Sequence, residues 1–145
     1  MSAVELRDLF HELILIESRL RRSVDSQLQA EYELTLSRLE LLRVVAAHDG
    51  CQIRDIVAAL SLTTGGASTL VDRAEREGHC RRRPHPTDRR SSIVELTSQG
   101  QRLLAPASRT LESIVQAQLG PALSPTSLKQ FASLIEALRA AWPPA

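Results

Sequence analysis

The chain has 145 residues, of which 43% are hydrophobic and 24% charged, and its formal net charge is +1. That length suits one domain with its own core, and the composition is typical of a folded protein. Two cysteines and four histidines show no disulfide framework and no metal-ligand spacing. No nucleophile set or phosphate loop indicates an enzyme. We therefore expect no catalytic site, no metal and no cofactor.

The start of the chain has no recognisable secretory signal, because MSAVELRDLF lacks a basic segment followed by an unbroken apolar run. No purely apolar run in the sequence approaches the roughly 20 residues that span a bilayer. The expectation is a cytoplasmic protein with no membrane partner.

Residues 3–28 are predicted to form one long helix, since apolar side chains recur at helical spacing without an intervening proline or glycine. Such a helix is about 38 Å long, and its apolar surface is wider than a small domain covers. We therefore expect it to pack against a second copy of the chain as well as its own core. Ala30 to Leu34 is expected to be a short connection.

The middle of the chain has the pattern of two short helices joined by a tight turn. Thr35 is expected to cap a helix over residues 36–48, and another helix lies near residues 53–60. After a brief turn, a fourth helix is predicted over residues 64–77, and it stops at Gly78. This order is the helix-turn-helix pattern.

An arginine-rich hairpin follows, with predicted strands at residues 81–84 and 92–96. The segment from Arg81 to Arg90 holds five arginines against one acid, Asp88, in a chain otherwise close to charge balance. A local basic excess of this kind indicates contact with a polyanion at one place. A helix-turn-helix followed by such a hairpin is a winged helix.

Two further helices are predicted after the hairpin. Thr97 is expected to cap the fifth, which Pro106 should kink and Gly120 end. Ser124 and Pro125 suit the N-cap and first position of the sixth. The apolar stripe of this last helix consists of Leu128, Phe131, Ile135, Leu138 and Trp142. The tail, residues 143–145, is expected to fray.

From Thr35 to Gly100 the chain resembles the MarR/SlyA family of bacterial transcription regulators. The resemblance is carried by Leu60, Thr63, Leu70-Val71-Asp72-Arg73, Gly78, Arg82, Asp88-Arg89-Arg90 and Leu96-Thr97-Ser98-Gln99-Gly100. It implies a mainly α (α+β) fold, a winged helix-turn-helix with a two-stranded wing and long N- and C-terminal dimerisation helices. Residues 35–97 would form the DNA-binding lobe, and residues 1–34 with 98–145 the dimerisation region. It also implies a homodimeric repressor that binds an inverted-repeat operator in double-stranded DNA.

Two groups of residues are the candidate DNA contacts. The start of the fourth helix is expected to enter the major groove, where hydroxyls reach phosphates or bases and glycines let the backbone approach. The wing tip is expected in the minor groove, with Asp88 holding Arg90 while Arg89 projects. The predicted DNA contacts are Thr63, Thr64, Gly65, Gly66, Ser68, Thr69, Arg73, Arg89 and Arg90. Asp88 and Arg82 are predicted to structure the wing.

Each predicted DNA contact also has a purely structural interpretation. Thr63 would be only a helix cap, Arg73 would form a surface ion pair, and the wing would be a solvated charged hairpin. One pair departs from the family pattern, since His79 and Cys80 stand where two aliphatic residues are usual. The packing of wing on helix is therefore looser, or Cys80 fills the aliphatic position as a small hydrophobe.

Regulation is open at this point. The resemblance implies a small phenolic or other ligand that binds between the dimer helices and the lobe and releases DNA. A redox alternative places a reactive thiol at Cys51, which follows a turn glycine and is expected to be exposed, or at Cys80, which is expected to be packed. A winged helix used only for protein contact is the other alternative, and steeply salt-dependent binding to duplex DNA would remove it.

Overall fold

The computed structural model describes residues 1–143, which form six helices and a two-stranded antiparallel sheet and confirm the predicted winged-helix architecture. The elements are α1 (Ala3–Tyr32), α2 (Leu36–Ala47), α3 (Ile53–Leu60), α4 (Thr64–Arg76), β1 (Cys80–Pro84), β2 (Ser92–Leu96), α5 (Ser98–Leu119) and α6 (Pro125–Ala141). The fraying expected for residues 143–145 falls mostly on residues 144–145, which lie outside the described part. No helix within residues 1–143 is long and apolar enough to cross a membrane.

Helix α1 extends about one turn further than the sequence indicated, so the connection predicted from Ala30 to Leu34 begins only at Glu33. The last turn is held by Tyr32, whose hydroxyl lies 2.9 Å from the Thr110 hydroxyl of α5. The helix ends where Glu33 adopts the left-handed conformation, with φ of 53°. A tertiary contact with a distant helix therefore sets the end of α1.

The core lies inside the winged-helix lobe, residues 35–97, and extends to the ends of α1 and α5 that pack on it. Its largest fully buried side chains include Leu28, Leu34, Leu39, Leu41, Leu42, Ile56, Val71 and Val94. Cys80 is buried among them, as predicted, and fills the aliphatic position at the start of β1. The buried aliphatic side chains are thus concentrated in one core.

The wing consists of β1, β2 and the loop 85–91 between them. The strands pair in register from Cys80 opposite Leu96 to Pro84 opposite Ser92. The backbone N–H of Val94 donates a 2.8 Å hydrogen bond to the Cys51 carbonyl, which ties the segment before α3 to the sheet. This pairing buries Cys51 completely, so the expectation that Cys51 is exposed is wrong.

Helices α1 and α6 leave apolar faces uncovered. Helix α6 contains no buried residue, although its sequence has the stripe described above. Helix α5 runs unbroken through Pro106, and its predicted kink stays a prediction. The large apolar side chains exposed on the two terminal helices are Val4, Leu6, Leu9, Phe10, Leu13, Ile14, Leu15, Ile16, Phe131, Leu134, Ile135, Leu138 and Trp142. The lobe has a closed core, and the terminal helices do not.

Candidate nucleic-acid interface

Helix α4 is the second helix of the helix-turn-helix and is called the recognition helix below. Its inner face buries Ala67, Val71 and Ala74, whose spacing of three and four residues lays one stripe against the core. Thr63 is the N-cap, and its hydroxyl accepts a 3.0 Å hydrogen bond from the Gly66 N–H. The predicted contact residues Thr63, Thr64, Gly65, Gly66 and Thr69 are exposed, and Ser68 is half-buried.

The two adjacent glycines of the recognition helix have different surroundings. A Cβ on Gly66 would lie 3.1 Å from the Thr63 hydroxyl oxygen, so the cap itself accounts for that glycine. A Cβ on Gly65 would meet nothing within 4 Å. Glycine this early in a helix costs about 0.5–1 kcal/mol relative to alanine, and at Gly65 packing within the described chain does not repay it. The bare backbone at Gly65 faces outward.

Arg73 lies on the same helix and is exposed. The structural alternative paired it with the acids near it in sequence, but both have other partners. Asp72 Oδ1 lies 2.7 Å from an Arg82 guanidinium nitrogen, and Glu77 forms an ion pair with Arg38. Within residues 1–143 Arg73 forms no ion pair, which leaves its guanidinium available to an external anion.

Asp88 organises the wing tip through its two carboxylate oxygens. One accepts a 2.9 Å hydrogen bond from the backbone N–H of Arg90, and the other accepts one of 2.9 Å from the Ser91 hydroxyl. The bond from the Arg90 amide, followed by that from Ser91, holds the pKa of the Asp88 carboxyl below its usual range. The acid therefore fixes the main chain at residue 90, while the side chains of Arg89 and Arg90 are exposed.

His85 is a wing residue that the sequence did not single out. Its Nδ1 accepts hydrogen bonds from the backbone N–H groups of Thr87, at 3.2 Å, and Asp88, at 3.0 Å. A histidine between two prolines ahead of a Thr-Asp pair was the only sequence signal for this turn. His85 and Asp88 together close the loop that presents the arginines.

The strand arginines are mostly neutralised by acids of the protein. Arg81 and Arg83 both bind Glu95 on the paired strand, the former at 3.2 Å. Hydrogen bonding and charge from these two arginines, Arg83 first, hold the pKa of Glu95 below its usual range. Arg82 points to the other side, as alternation along a strand requires, and binds the recognition helix. Arg81 and Arg83 share the single carboxylate of Glu95, whereas Arg89 and Arg90 at the wing tip form no ion pair within residues 1–143.

A buried polar cluster at the base of the wing was not anticipated as a unit. Arg38 of α2 and His79 before β1 are 7% and 5% exposed, and Glu77 pairs with Arg38. The His79 Nδ1 lies 3.9 Å from Glu77 Oε2 and has no hydrogen-bond partner among residues 1–143. Burial, and then the charge of Arg38, lower the pKa of the His79 imidazole. The departure of His79 from the family pattern was its only signal.

This cluster borders a cavity of about 550 Å³ between the end of α1, the start of α5 and the lobe. Arg102 of α5 and Tyr32 of α1 line the same cavity. It therefore joins residues of the predicted dimerisation region to residues of the predicted DNA-binding lobe.

Both cysteines are buried free thiols. Burial, with a smaller effect of Asp55, raises the pKa of Cys51 to about 11. Burial first, and then nearby Cys51 and Glu75, raise the pKa of Cys80 to about 12. A reactive thiol needs an accessible, stabilised thiolate, so these surroundings disfavour the redox alternative.

Two helices with an exposed, hydroxyl-rich second member, followed by a hairpin with exposed arginines at its tip, define a winged helix-turn-helix protein whose exposed surface suits a nucleic acid. The comparison with protein families agrees, since residues 32–91 match the model of the MarR family. Over these residues, which are fewer than half of the chain, the protein is similar to the MarR family.

Curated relatives match about half of the chain. The HTH-type transcriptional regulator BilQ of Clostridium symbiosum is 31% identical over 77 residues, which is 53% of this chain and 53% of BilQ. The chain spans about half the length of the curated relatives it matches.

Solved structures match almost the whole chain. One of them is Sco3205 from Streptomyces coelicolor, a MarR family transcriptional regulator solved in complex with DNA. It superposes with a TM-score of 0.88 at 20% identity, and the match covers 100% of this chain and 92% of Sco3205. BpsR from Bordetella bronchiseptica, whose DNA binding is regulated by 6-hydroxynicotinic acid, gives a TM-score of 0.79 at 21% identity. The match covers 90% of this chain and 98% of BpsR. At these identities the likeness establishes the fold.

Proposed function

We propose that this protein is a cytoplasmic, sequence-specific DNA-binding regulator of transcription that acts as a repressor. The start of α4, from Thr63 to Thr69, contacts the major groove, and Arg89 and Arg90 contact the minor groove and its phosphates. The observation that carries this proposal is Gly65, an outward-facing bare position that packing among residues 1–143 does not explain. The match of residues 32–91 to the MarR family model supports it.

The operator is an inverted repeat bound by a homodimer. Residues 1–34 and 98–145 form the dimerisation region, and residues 35–97 form the DNA-binding lobe. The uncovered apolar faces of α1 and α6 support this division, because a soluble monomer rarely exposes so large an apolar surface. A two-fold dimer places its recognition helices roughly 34–36 Å apart, so we expect half-sites about 10 bp apart.

The first test is selection of bound sequences from a random duplex pool. An inverted repeat with that spacing is the expected outcome. Failure to retain any duplex, at low salt as well as at physiological salt, would leave the protein-interaction alternative in its place.

The wing is tested by Arg89→Ala. This change removes a phosphate contact, so it should weaken binding to all duplexes and lower the slope of log affinity against log salt by about one. Arg83→Ala is the matched control, because Arg83 is already paired with Glu95 and should change the slope less. An unchanged affinity and slope for Arg89→Ala would show that the wing tip does not contact DNA.

We also propose that a small anionic aromatic ligand, a phenolic acid or a similar molecule, binds in the cavity beside Arg38 and releases DNA. Arg102 and Arg38 would hold its acid group, and the free Nδ1 of His79 would accept or donate a hydrogen bond. A ligand there would compete with Glu77 for Arg38, and Glu77 ends the recognition helix.

The probe for this site is 6-hydroxynicotinic acid, which regulates DNA binding by BpsR. Binding should raise the melting temperature and weaken operator binding. Arg102→Gln should retain DNA binding and lose both responses. If neither changes at millimolar probe, this class of effector is excluded for the cavity.

A further inference from the structure

Arg82 makes four contacts with the recognition helix, more than any other wing residue described. Its backbone N–H and one guanidinium nitrogen each donate to Glu75 at 3.0 Å. The same nitrogen lies 2.7 Å from Asp72 Oδ1, and the other terminal nitrogen donates to the Ser68 carbonyl at 3.4 Å. One side chain thus binds three positions of α4.

These three positions form a single stripe along the helix. Residues 68, 72 and 75 are four and three apart, so they follow one face of α4 over two turns. The Arg82 side chain is 26% exposed, compared with 68% for Arg81. It therefore lies in the groove between the helix and the wing and not on the outer surface.

Only a planar fork of several donors fits this arrangement. A guanidinium reaches two carboxylates and a carbonyl at once, whereas a lysine ammonium is a single point charge on a flexible stem. The contacts fix both the rotation of α4 and its distance from β1. Ser68 is itself a candidate DNA contact, and Asp72 is adjacent to Arg73, another candidate contact.

We propose that Arg82 is the positioning residue that holds the recognition helix and the wing in one fixed relation, so that the major and minor grooves are read in register. This inference rests on the proposed DNA-binding function and names what sets the selectivity of that site. Arg82 acts through the helix and does not itself contact DNA. Its removal should reduce the preference for operator over other duplexes more than it reduces general affinity.

Removing the Arg82 side chain could also lower the preference for operator through charge alone. This electrostatic effect has to be separated from positioning. Without Arg82, Asp72 and Glu75 would stand uncompensated near the phosphates and repel them. The triple variant Arg82→Gln, Asp72→Asn, Glu75→Gln carries no such charges but also lacks the fork. Arg82→Lys keeps the charge and loses the fork. Arg81→Gln, on the opposite face of the same strand, is the matched control.

The measurement is the affinity of each variant for the selected operator and for an unrelated duplex over a range of salt concentrations. Positioning predicts that Arg82→Lys and the triple variant both lose about tenfold or more in the ratio of the two affinities. The salt slope on the unrelated duplex should stay within about half a unit of the wild type. Arg81→Gln should keep the ratio.

Three results would overturn the proposal. A triple variant with wild-type selectivity would make the role electrostatic. Arg82→Lys with wild-type selectivity would show that charge suffices. A salt slope lower by about one at unchanged selectivity would place Arg82 on a phosphate. If the wild type itself shows no preference among duplexes, the proposed function fails instead.

A distance measurement on the protein without DNA distinguishes failure of the positioning role from failure of the proposed DNA-binding function. Thermal unfolding of the same variants controls for folding. Spin labels at Thr87→Cys and Arg76→Cys, both exposed, report the distance between the wing and the recognition helix. Labelled subunits are diluted with unlabelled ones so that each dimer carries one pair. Arg82→Lys should melt cooperatively and give a broader distance distribution than the wild type. An unchanged distribution contradicts the positioning role whatever the DNA data show.

Discussion

Helices α4 and α5 begin with the same four-residue pattern, a threonine N-cap followed three residues later by glycine. Gly66 donates to the Thr63 hydroxyl at 3.0 Å, and Gly100 donates to the Thr97 hydroxyl at 3.1 Å. The two caps also share their backbone conformation, with φ of −75° and −76°. Local chemistry therefore makes the two helix starts nearly equivalent.

Their surroundings differ. The Thr97 hydroxyl also donates to the Gly78 carbonyl, and a Cβ on Gly100 would lie 2.1 Å from the His79 carbonyl oxygen. At the start of α5 the chain packs against Gly100, which leaves no room for a side chain. At the start of α4 a Cβ on Gly65 would have no neighbour within 4 Å in the described part of the chain. The same motif caps both helices, but the fold packs on it at α5 and leaves it uncovered at α4, where we propose that an external partner approaches through Gly65.

The largest effect is expected for Gly100→Ala. The added methyl group overlaps a backbone carbonyl that cannot move without shifting the wing, so the free energy of unfolding should fall by about 1–3 kcal/mol or more. The matched change is Gly66→Ala, at the same helix position, where only the Thr63 hydroxyl must give way. Urea denaturation of both variants makes the comparison. Equal losses would mean that the His79 contact does not decide the difference.

A smaller and opposite pattern is expected for Gly65→Ala. The free energy of unfolding should stay the same or rise by about 0.5–1 kcal/mol, because alanine favours the helix and meets no neighbour. The operator affinity should nevertheless fall about tenfold, since the methyl group occupies space that the DNA needs. Gel retardation and urea denaturation on the same preparation check both halves. A variant that is more stable and binds equally well contradicts the proposed approach of DNA at Gly65.

Much of the fold was predictable because its signals are local. The Thr63 and Thr97 caps, the left-handed Gly78 and the proline at the first position of α6 act within one turn of helix. The end of α1 was not predictable, because the hydroxyl contact between Tyr32 and helix α5 joins segments 78 residues apart. Errors occurred where tertiary contacts outweighed propensity.

The site divides in the same way. The residue types of the helix start and the wing tip were visible in sequence, and whether they contact DNA stays a prediction. The four bonds of Arg82, the burial of Cys51 by its pairing with Val94, and the cluster around His79 each depend on several elements meeting. Residue spacing in the sequence does not indicate such contacts between separate elements.

The smallest effect concerns His79, whose carbonyl limits the start of α5. Burial and the Arg38 charge lower the pKa of its imidazole below the usual 6.5, so the native protein disfavours the proton that the unfolded chain takes up. As pH falls through about 6.5, the free energy of unfolding should therefore fall, until pH reaches the lowered pKa. Glu77, at 3.9 Å, is already paired with Arg38 and compensates little of this.

The measurement is urea denaturation between about pH 7.5 and 5, at one protein concentration because stability depends on association. His79→Gln should flatten this part of the pH dependence, since glutamine takes up no proton in either state. His48→Gln is the matched control and should retain the loss, because it leaves His79 in place. Carboxyl groups with lowered pKa, such as Asp88 and Glu95, titrate at lower pH and are common to all three proteins. If the stability of His79→Gln follows that of the wild type through this window, the buried imidazole does not cause the loss of stability in acid.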